Sequence, residues 1–172
     1  MLQGKLVRLR PVERDDLPNY IQWVNDPDVL AYFGSYLPYN MIKEEAWFER
    51  MSASDSVINF AIEYEGRHVG GCGFLNIDHR NQSAEIGLFI GDKSVWDKGL
   101  GQDTLSVMLD YGFDQLNFHR IYLRVFAENA RAIHAYERVG FVHEGRFREA
   151  IWRHGRWHDM LFMSVLRREW RQ

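Results

Sequence analysis

The segment SVWDKGLGQDTL, residues 94–105, places two glycines two residues apart immediately before an apolar stripe at helical spacing: Leu105, Met108, Leu109, Gly112 and Leu116. A helix beginning near Gly99 leaves its first backbone N–H groups without internal partners, at the positive end of its dipole, and such an end accepts an anion. Glycine at 99 and 101 lets a diphosphate approach the backbone, and Lys98 adds a positive charge. The same letters also describe a tight turn into a helix and nothing more. The later glycine of a dinucleotide fingerprint and the Gly-Lys-Ser/Thr ending of a Walker loop are absent, and on this segment alone both readings stand.

Other residues that could do chemistry are scattered. No Ser-His-Asp or Cys-His constellation is evident. His154 and His158 have metal-like spacing, but a glycine-containing turn separates them, which predicts hairpin or cleft residues and no metal. His134 reads as a surface residue and His119 as one that orders a strand entrance. Cys72, among Gly70, Gly71 and Gly73, reads as a small buried filler. Glu44, Glu45 and Glu49 read as a solvated helix face, with attraction of a cationic substrate as the alternative. The arginines and tryptophans of WRHGRW suit an acidic peptide or a subunit contact.

These residues need a scaffold. KLVRLRPV alternates as a strand and stops at Pro11; ERDDLPNYIQWVND carries Leu17, Tyr20, Ile21 and Val24 at helical spacing, with Pro18 in the first turn. After the loop FGSYLPYN comes a second helix, MIKEEAWFERM. SVINFAIEYE, RHVGGCGFLNID and SAEIGLFIG form a predicted antiparallel meander. RIYLRVFAE reads as a central strand. NARAIHAYERVGF is a short helix capped by Asn129 and ended by Gly140. The last stretch, to Leu166, folds as two strands about His154-Gly155. The order predicts a mixed α/β sheet.

The chain has 172 residues, 46% apolar and 26% charged, which suits one soluble globular domain spanning 1–172. A net charge of -3 speaks against a general nucleic-acid binder. One cysteine excludes an internal disulfide, and neither a signal-peptide core nor a bilayer-length apolar run is present, so a cytoplasmic protein without membrane attachment is expected. The 15% of aromatic residues, six of them tryptophan, points to a well-filled core and a ring-lined cleft.

Glu85 stands in the strand before the glycines, Asn129 ends the strand after them, and Tyr136 lies on the capped helix. With AEIG, KGLG and N-x-x-A-I-x-x-Y-E-x-x-G-F in this order, the chain resembles the GNAT superfamily of acyl-CoA N-acyltransferases over essentially its whole length. Within it, the similarity is to the branch holding ribosomal-protein N-terminal acetyltransferases and spermidine N-acetyltransferases. The resemblance implies a mostly antiparallel sheet of about seven strands flanked by about four helices. It also implies acetyl-CoA as the acyl donor. Leu88, Phe89 and Ile90 would pair through their main chain with the pantetheine arm on a strand that splays from its neighbour. Val95, Trp96, Asp97, Lys98, Gly99, Leu100 and Gly101, with Gln102 following, would hold the pyrophosphate. Asn129 would touch the cofactor or a bound water, and Tyr136 would stand near the thioester sulfur. Trp96 departs from the superfamily signature, which has Gln or Arg there, and so removes one polar contact.

Acyl transfer of this kind is direct attack by an amine on a thioester, and it needs a neutral amine, a stabilised oxyanion and a proton for the thiolate. An alkyl amine near 10.4 needs about two to three pK units more help than an α-amine near 7.7–8.0. Glu85 shares a strand face with Gly87 and Phe89, where it is either a desolvated general base or water relay, or else a solvent-facing glutamate or one half of a structural ion pair. Tyr136 is the proton donor that the resemblance implies; on spacing alone it could be core beside Ile133 and Val139. The main-chain N–H of Phe89 or Ile90 is the expected oxyanion donor. The expected acceptor is a protein N-terminus or an amine-bearing small molecule such as a polyamine or an antibiotic; a homodimer is compatible. A non-catalytic acyl-CoA-binding module is the competing class.

Overall fold

The computed structural model describes residues 1–32 and 37–170. Its strands are Leu2–Gln3 (β1), Val7–Pro11 (β2), Ile58–Tyr64 (β3), Arg67–Asp78 (β4), Ser83–Ile90 (β5), Arg120–Phe126 (β6), Val142–Arg153 (β7) and Arg156–Leu166 (β8). Its helices are Leu17–Val24 (α1), Pro27–Leu30 (α2), Met41–Ser52 (α3), Leu100–Asp114 (α4) and Ala130–Val139 (α5). One sheet of eight strands runs in the order β1-β2-β3-β4-β5-β6-β8-β7. The fold is the expected mixed α/β sheet, with one strand and one helix more than the sequence pattern predicts. The additions are the two-residue β1 and the single-turn α2, both too short to carry a hydrophobic period. The first four residues of the FGSYLPYN loop lie outside the described residues.

Every neighbouring pair of strands is antiparallel except β5 with β6, which are parallel and joined through α4. A parallel pair requires a crossover, and the crossover lays α4 across one face of the sheet. There Leu105, Met108, Leu109 and Phe113 pack with Phe74, Ile86, Ile121, Leu123 and Val165. On the opposite face α1 and α3 cover β2 to β5, where Tyr20, Val12 and Ala61 pack with Trp47, Phe48, Met51 and Phe89. Cys72 is buried, as expected of a filler, and burial pushes its thiol pKa up. Asp103, in the first turn of α4, accepts from the main-chain amides of Lys5, Leu6 and Val7 at 3.1, 2.7 and 2.9 Å, tying the helix start to the sheet edge.

One expectation is corrected. Glu45 and Glu49 are exposed, but Glu44 is only 3% exposed and faces inward from α3; burial raises its pKa. It lies on the same helical face as Trp47, Phe48 and Met51, a stripe that polarity alone conceals. The final hairpin turns at His154 (φ 48°) and Gly155 (φ 75°), and β7 leaves Phe147 and Trp152 exposed at the sheet edge.

A charged cluster locks β2 to α1. Arg10 donates both terminal nitrogens to Asp16 at 2.7 Å and its Nε to Glu63 at 2.6 Å, and the His68 ring lies 3.1 Å from Asp16. Burial works to raise the Asp16 pKa, but the Arg10 guanidinium and the Glu13 amide overcome it and hold the carboxyl below its usual value. A carboxylate depressed in the folded state contributes stability above its unfolded pKa, and that contribution is lost as the pH falls through the folded value. Asp16→Asn is expected to cost about 3 kcal/mol at pH 7. In urea unfolding the gap to the wild type should narrow at pH 3; an equal gap at both pH values would refute the ion-pair account.

Candidate active site

β5 and β6 share only three registered pairs, Ser83 with Arg120, Ala84 with Ile121 and Glu85 with Tyr122. Beyond Glu85, β5 stays with β4 as far as Ile90, while β6 continues beside β8 as far as Phe126. The sheet therefore forks. A cavity of about 1600 Å³ fills the fork and reaches both faces, lined by Leu88, Ile90 and Tyr136 from the α4 side and by Glu85, Arg124 and Phe147 from the other. Among the described residues no strand lies beside the edge of β5 at Leu88, Phe89 and Ile90, so an extended ligand can pair there as a strand would.

At the mouth of the fork, Gly99 is the N-cap of α4 in the left-handed region (φ 80°), and no side chain caps the helix. The first helical bond runs from the Asp103 amide to the Gly99 carbonyl, leaving the amides of Leu100, Gly101 and Gln102 without helical partners. A Cβ at Gly99 would meet nothing nearer than 3.9 Å, and one at Gly101 nothing nearer than 3.7 Å, so open space lies where side chains would stand. These features make a cradle for an anionic group. Two cations stand near it, differently placed. Lys98 sits 5.5 Å above the Tyr64 ring and does not line the cavity, whereas Arg131, from the first turn of α5, does. Arg131 lies 5.3 Å over the Trp96 ring and 3.2 Å from Asp97.

Trp96 stands in the cradle loop for a structural reason: its indole N–H donates to the Ile90 carbonyl at 2.8 Å, tying the loop to the end of the splayed strand. Val95 and Leu100 line the cavity from within the core, at 1% and 2% exposure. Asn129 caps α5 by accepting from the Ala132 amide at 3.2 Å and also faces the cavity.

Glu85 sits at the apex of the fork, buried, as a double acceptor from Arg124: Nε at 2.8 Å to Oε1 and Nη2 at 3.0 Å to Oε2. Asn76 donates to Oε2 at 2.8 Å. Of the roles open to Glu85 in the sequence, the ion pair is thus present in the structure, and any proton transfer must work around it. Asn76 and Arg124 escape sequence reasoning for different reasons. Asn76 has φ 49° at an irregularity in the β4–β5 register, which spacing does not disclose. Arg124 was legible, since it alternates with Tyr122 on the strand that pairs with Glu85. Tyr136 lies against Phe141, ring centroids 5.7 Å apart, and burial pushes its pKa up to about 12. His158 is buried between Glu128 Oε1 at 3.0 Å and the Arg153 carbonyl at 3.2 Å; His134 is exposed.

Residues 7–142 match the family model described as an acetyltransferase (GNAT) domain. Spermidine N(1)-acetyltransferase of Escherichia coli (strain K12) is 30% identical over 165 residues, covering 95% of this chain and 88% of that protein. YdaF of Bacillus subtilis (strain 168), provisionally named a ribosomal N-acetyltransferase, is 30% identical over 123 residues, 72% of this chain and 67% of that one. The structure of spermidine N-acetyltransferase from Vibrio cholerae in complex with CoA and spermine superposes with a TM-score of 0.90 at 29% identity, covering 96% of this chain and 98% of that chain. A forked sheet beside an uncapped, glycine-opened helix, together with these matches, places the chain in the GNAT family of N-acetyltransferases, with acetyl-CoA as its cosubstrate.

Proposed function

We propose that this chain acetylates a primary amine of the α-amino kind, with the thioester seated along β5 and the amine arriving from the α1–α3 face. The observation that carries the reading is the fork, with an anion cradle at its mouth, Tyr136 beside it and Glu85 at its apex. The residues fit the cosubstrate. Gly99 and Gly101 leave the backbone open to a pyrophosphate, the amides of Leu100 to Gln102 point to it, and Arg131 supplies the charge. Leu88, Phe89 and Ile90 give the pantetheine arm a strand edge, and Asn129 lines the same cavity. Trp96 and Asp97 hold Arg131 in place.

A thioester brings its own activated carbonyl, so the chain needs no covalent nucleophile. Its tasks are to exclude water, to orient the amine and to manage two protons. Tyr136 stays neutral throughout the working range and offers its O–H to the departing sulfur. Complete transfer from a phenol of about 12 to a thiolate of about 8.5 is uphill by roughly 5 kcal/mol, so Tyr136 acts by hydrogen bonding. Glu85 accepts the proton of the amine through water. An α-amine near 7.7–8.0 is neutral more often at pH 7 than an alkyl amine near 10.4 and asks less of any base. Polyamine acetylation is the second reading, supported by the names of the spermidine enzymes among the relatives. The exposed aromatics of the β7–β8 hairpin, Phe147, Trp152 and Trp157, are the face on which a homodimer would form.

Thiol release from acetyl-CoA over a broad amine panel tests the activity. Tyr136→Phe should lower kcat about 10- to 100-fold while CoA affinity holds, and the wild type should show no Tyr136-dependent loss of activity below about pH 11. Unchanged kcat in the Phe variant removes Tyr136 from the mechanism. Glu85→Gln should lower kcat about 100-fold if the carboxylate relays the proton; a fall in Tm with full activity per folded molecule would leave it a structural partner of Arg124. Gly99→Ala forces a left-handed alanine and should cost about 1–2 kcal/mol of stability. Gly101→Ala, free of that strain, should leave the fold intact or stabilise it by up to about 1 kcal/mol and weaken CoA binding. Equal stability losses in the two variants would refute this division of roles, as calorimetry and CoA titration can establish.

A further inference from the structure

A second cavity, of about 430 Å³, opens on the α1–α3 face beside the fork. Leu75, Gly87, Leu88 and Phe89 line both cavities, so the second is a side chamber of the first. Gly71 and Gly73 help form it, and neither could carry a side chain. A Cβ at Gly71 would come within 2.7 Å of Tyr20 Oη, and one at Gly73 would strike Asn59 Oδ1. Gly87 differs: a Cβ there would meet only Leu75, at 3.8 Å, and would project into open space at the passage between the chambers. Trp47, Met51, Leu75 and Phe89 add apolar walls.

The charges at this end of the molecule are as informative as the shape. No carboxylate lines the side chamber, and Arg50 lines it, exposed and without an ion-pair partner among the described residues. In the main cavity each lining carboxylate already faces a basic side chain: Asp28 with Lys93, Glu85 with Arg124, Asp97 with Arg131 and Glu128 with His158. Residues 33–36 are Phe, Gly, Ser and Tyr and add none. Glu44 points inward one turn from Trp47 but lines neither cavity, and burial shifts it toward its neutral form. A second or third ammonium group entering the side chamber would find no carboxylate there among the described residues, whereas an apolar side chain finds a chamber and an anion finds Arg50.

We propose that the side chamber takes the apolar first side chain of a peptide-like acceptor, whose α-amine lies at the fork and whose carboxylate end lies toward Arg50. The proposal rests on the acetyltransferase reading and narrows it to an acceptor with one cation, an apolar body and an anion. Thiol release from acetyl-CoA is measured with the dipeptides Leu-Glu and Gly-Glu, with leucinamide and with spermidine, for the wild type, Gly87→Val and Arg50→Gln. In the wild type, kcat/KM for Leu-Glu should exceed that for Gly-Glu and for spermidine by about tenfold or more. Gly87→Val, which narrows the passage, should bring the Leu-Glu to Gly-Glu ratio close to one. Arg50→Gln alters an exposed side chain that the fold does not use, and it should shrink the advantage of Leu-Glu over leucinamide through KM. Spermidine used as well as Leu-Glu, or ratios that both variants leave in place, overturns the chamber assignment while acetyl transfer stands. Thiol release with no amine of the broad panel would instead defeat the acetyltransferase reading itself.

Discussion

The fork between β5 and β6 is the constraint on which the rest of the architecture depends. Opening a sheet in its interior strips backbone groups of their partners, and each one left buried and unpaired costs about 1–3 kcal/mol. The molecule keeps that opening from closing or spreading with a few specific ties. At the apex Glu85 reaches past its own register partner, Tyr122, to hold Arg124 two residues further along β6, a side-chain bridge across the first step of the gap. At the far end Trp96 takes up the Ile90 carbonyl and fastens the splayed strand to the loop before α4. The same loop ends at Gly99, whose left-handed conformation turns the chain into the helix and aims its free amides at the opening. One gap thus sets the position of the ion pair, the indole and the anion cradle together.

This also explains why Glu85 resists a single label. A carboxylate that closes the fork must be buried and paired, and its contacts with Arg124 and Asn76 occupy the oxygens that a proton would have to reach. Tyr136 shows the complementary logic. Burial keeps its phenol neutral, and a neutral phenol is what a departing thiolate can use as a hydrogen-bond donor.

Much of this was legible in the letters because local physics governed it. RHVGGCGFLNID, read as a strand, is a strand over those same residues, and Asn129 and Gly140 cap α5 as their types demand. Gly99 and Gly101 gave the helix start, a local property, but only the resemblance turned that start from a tight turn into an anion cradle. Side-chain direction was not legible. Lys98 is nearer the cradle in sequence than Arg131 but turns to Tyr64, while Arg131 arrives from another helix by stacking on Trp96. Glu44 looked solvated because its neighbours are charged, and only the docking of α3 on β3 to β5 turned it inward. Asn76 reaches Glu85 through a strand irregularity that leaves no periodic trace.

The cofactor half of the molecule and the acceptor half therefore carry different kinds of information. In the proposed reading, pyrophosphate recognition rests on backbone amides and the absence of side chains at two glycines where a helix starts. Acceptor recognition depends on which side chains reach the α1–α3 face and how their charges are already spent. Here Asp28, Glu85 and Asp97 of the cleft face Lys93, Arg124 and Arg131, Glu128 meets the His158 ring, and the charge at the side chamber is the cation Arg50. A protein of the same fold can change acceptor by unpairing one carboxylate or filling one glycine, without disturbing the fork. Gly87 is the position where such a change would meet least resistance, because its missing side chain faces open space at the passage between the two cavities.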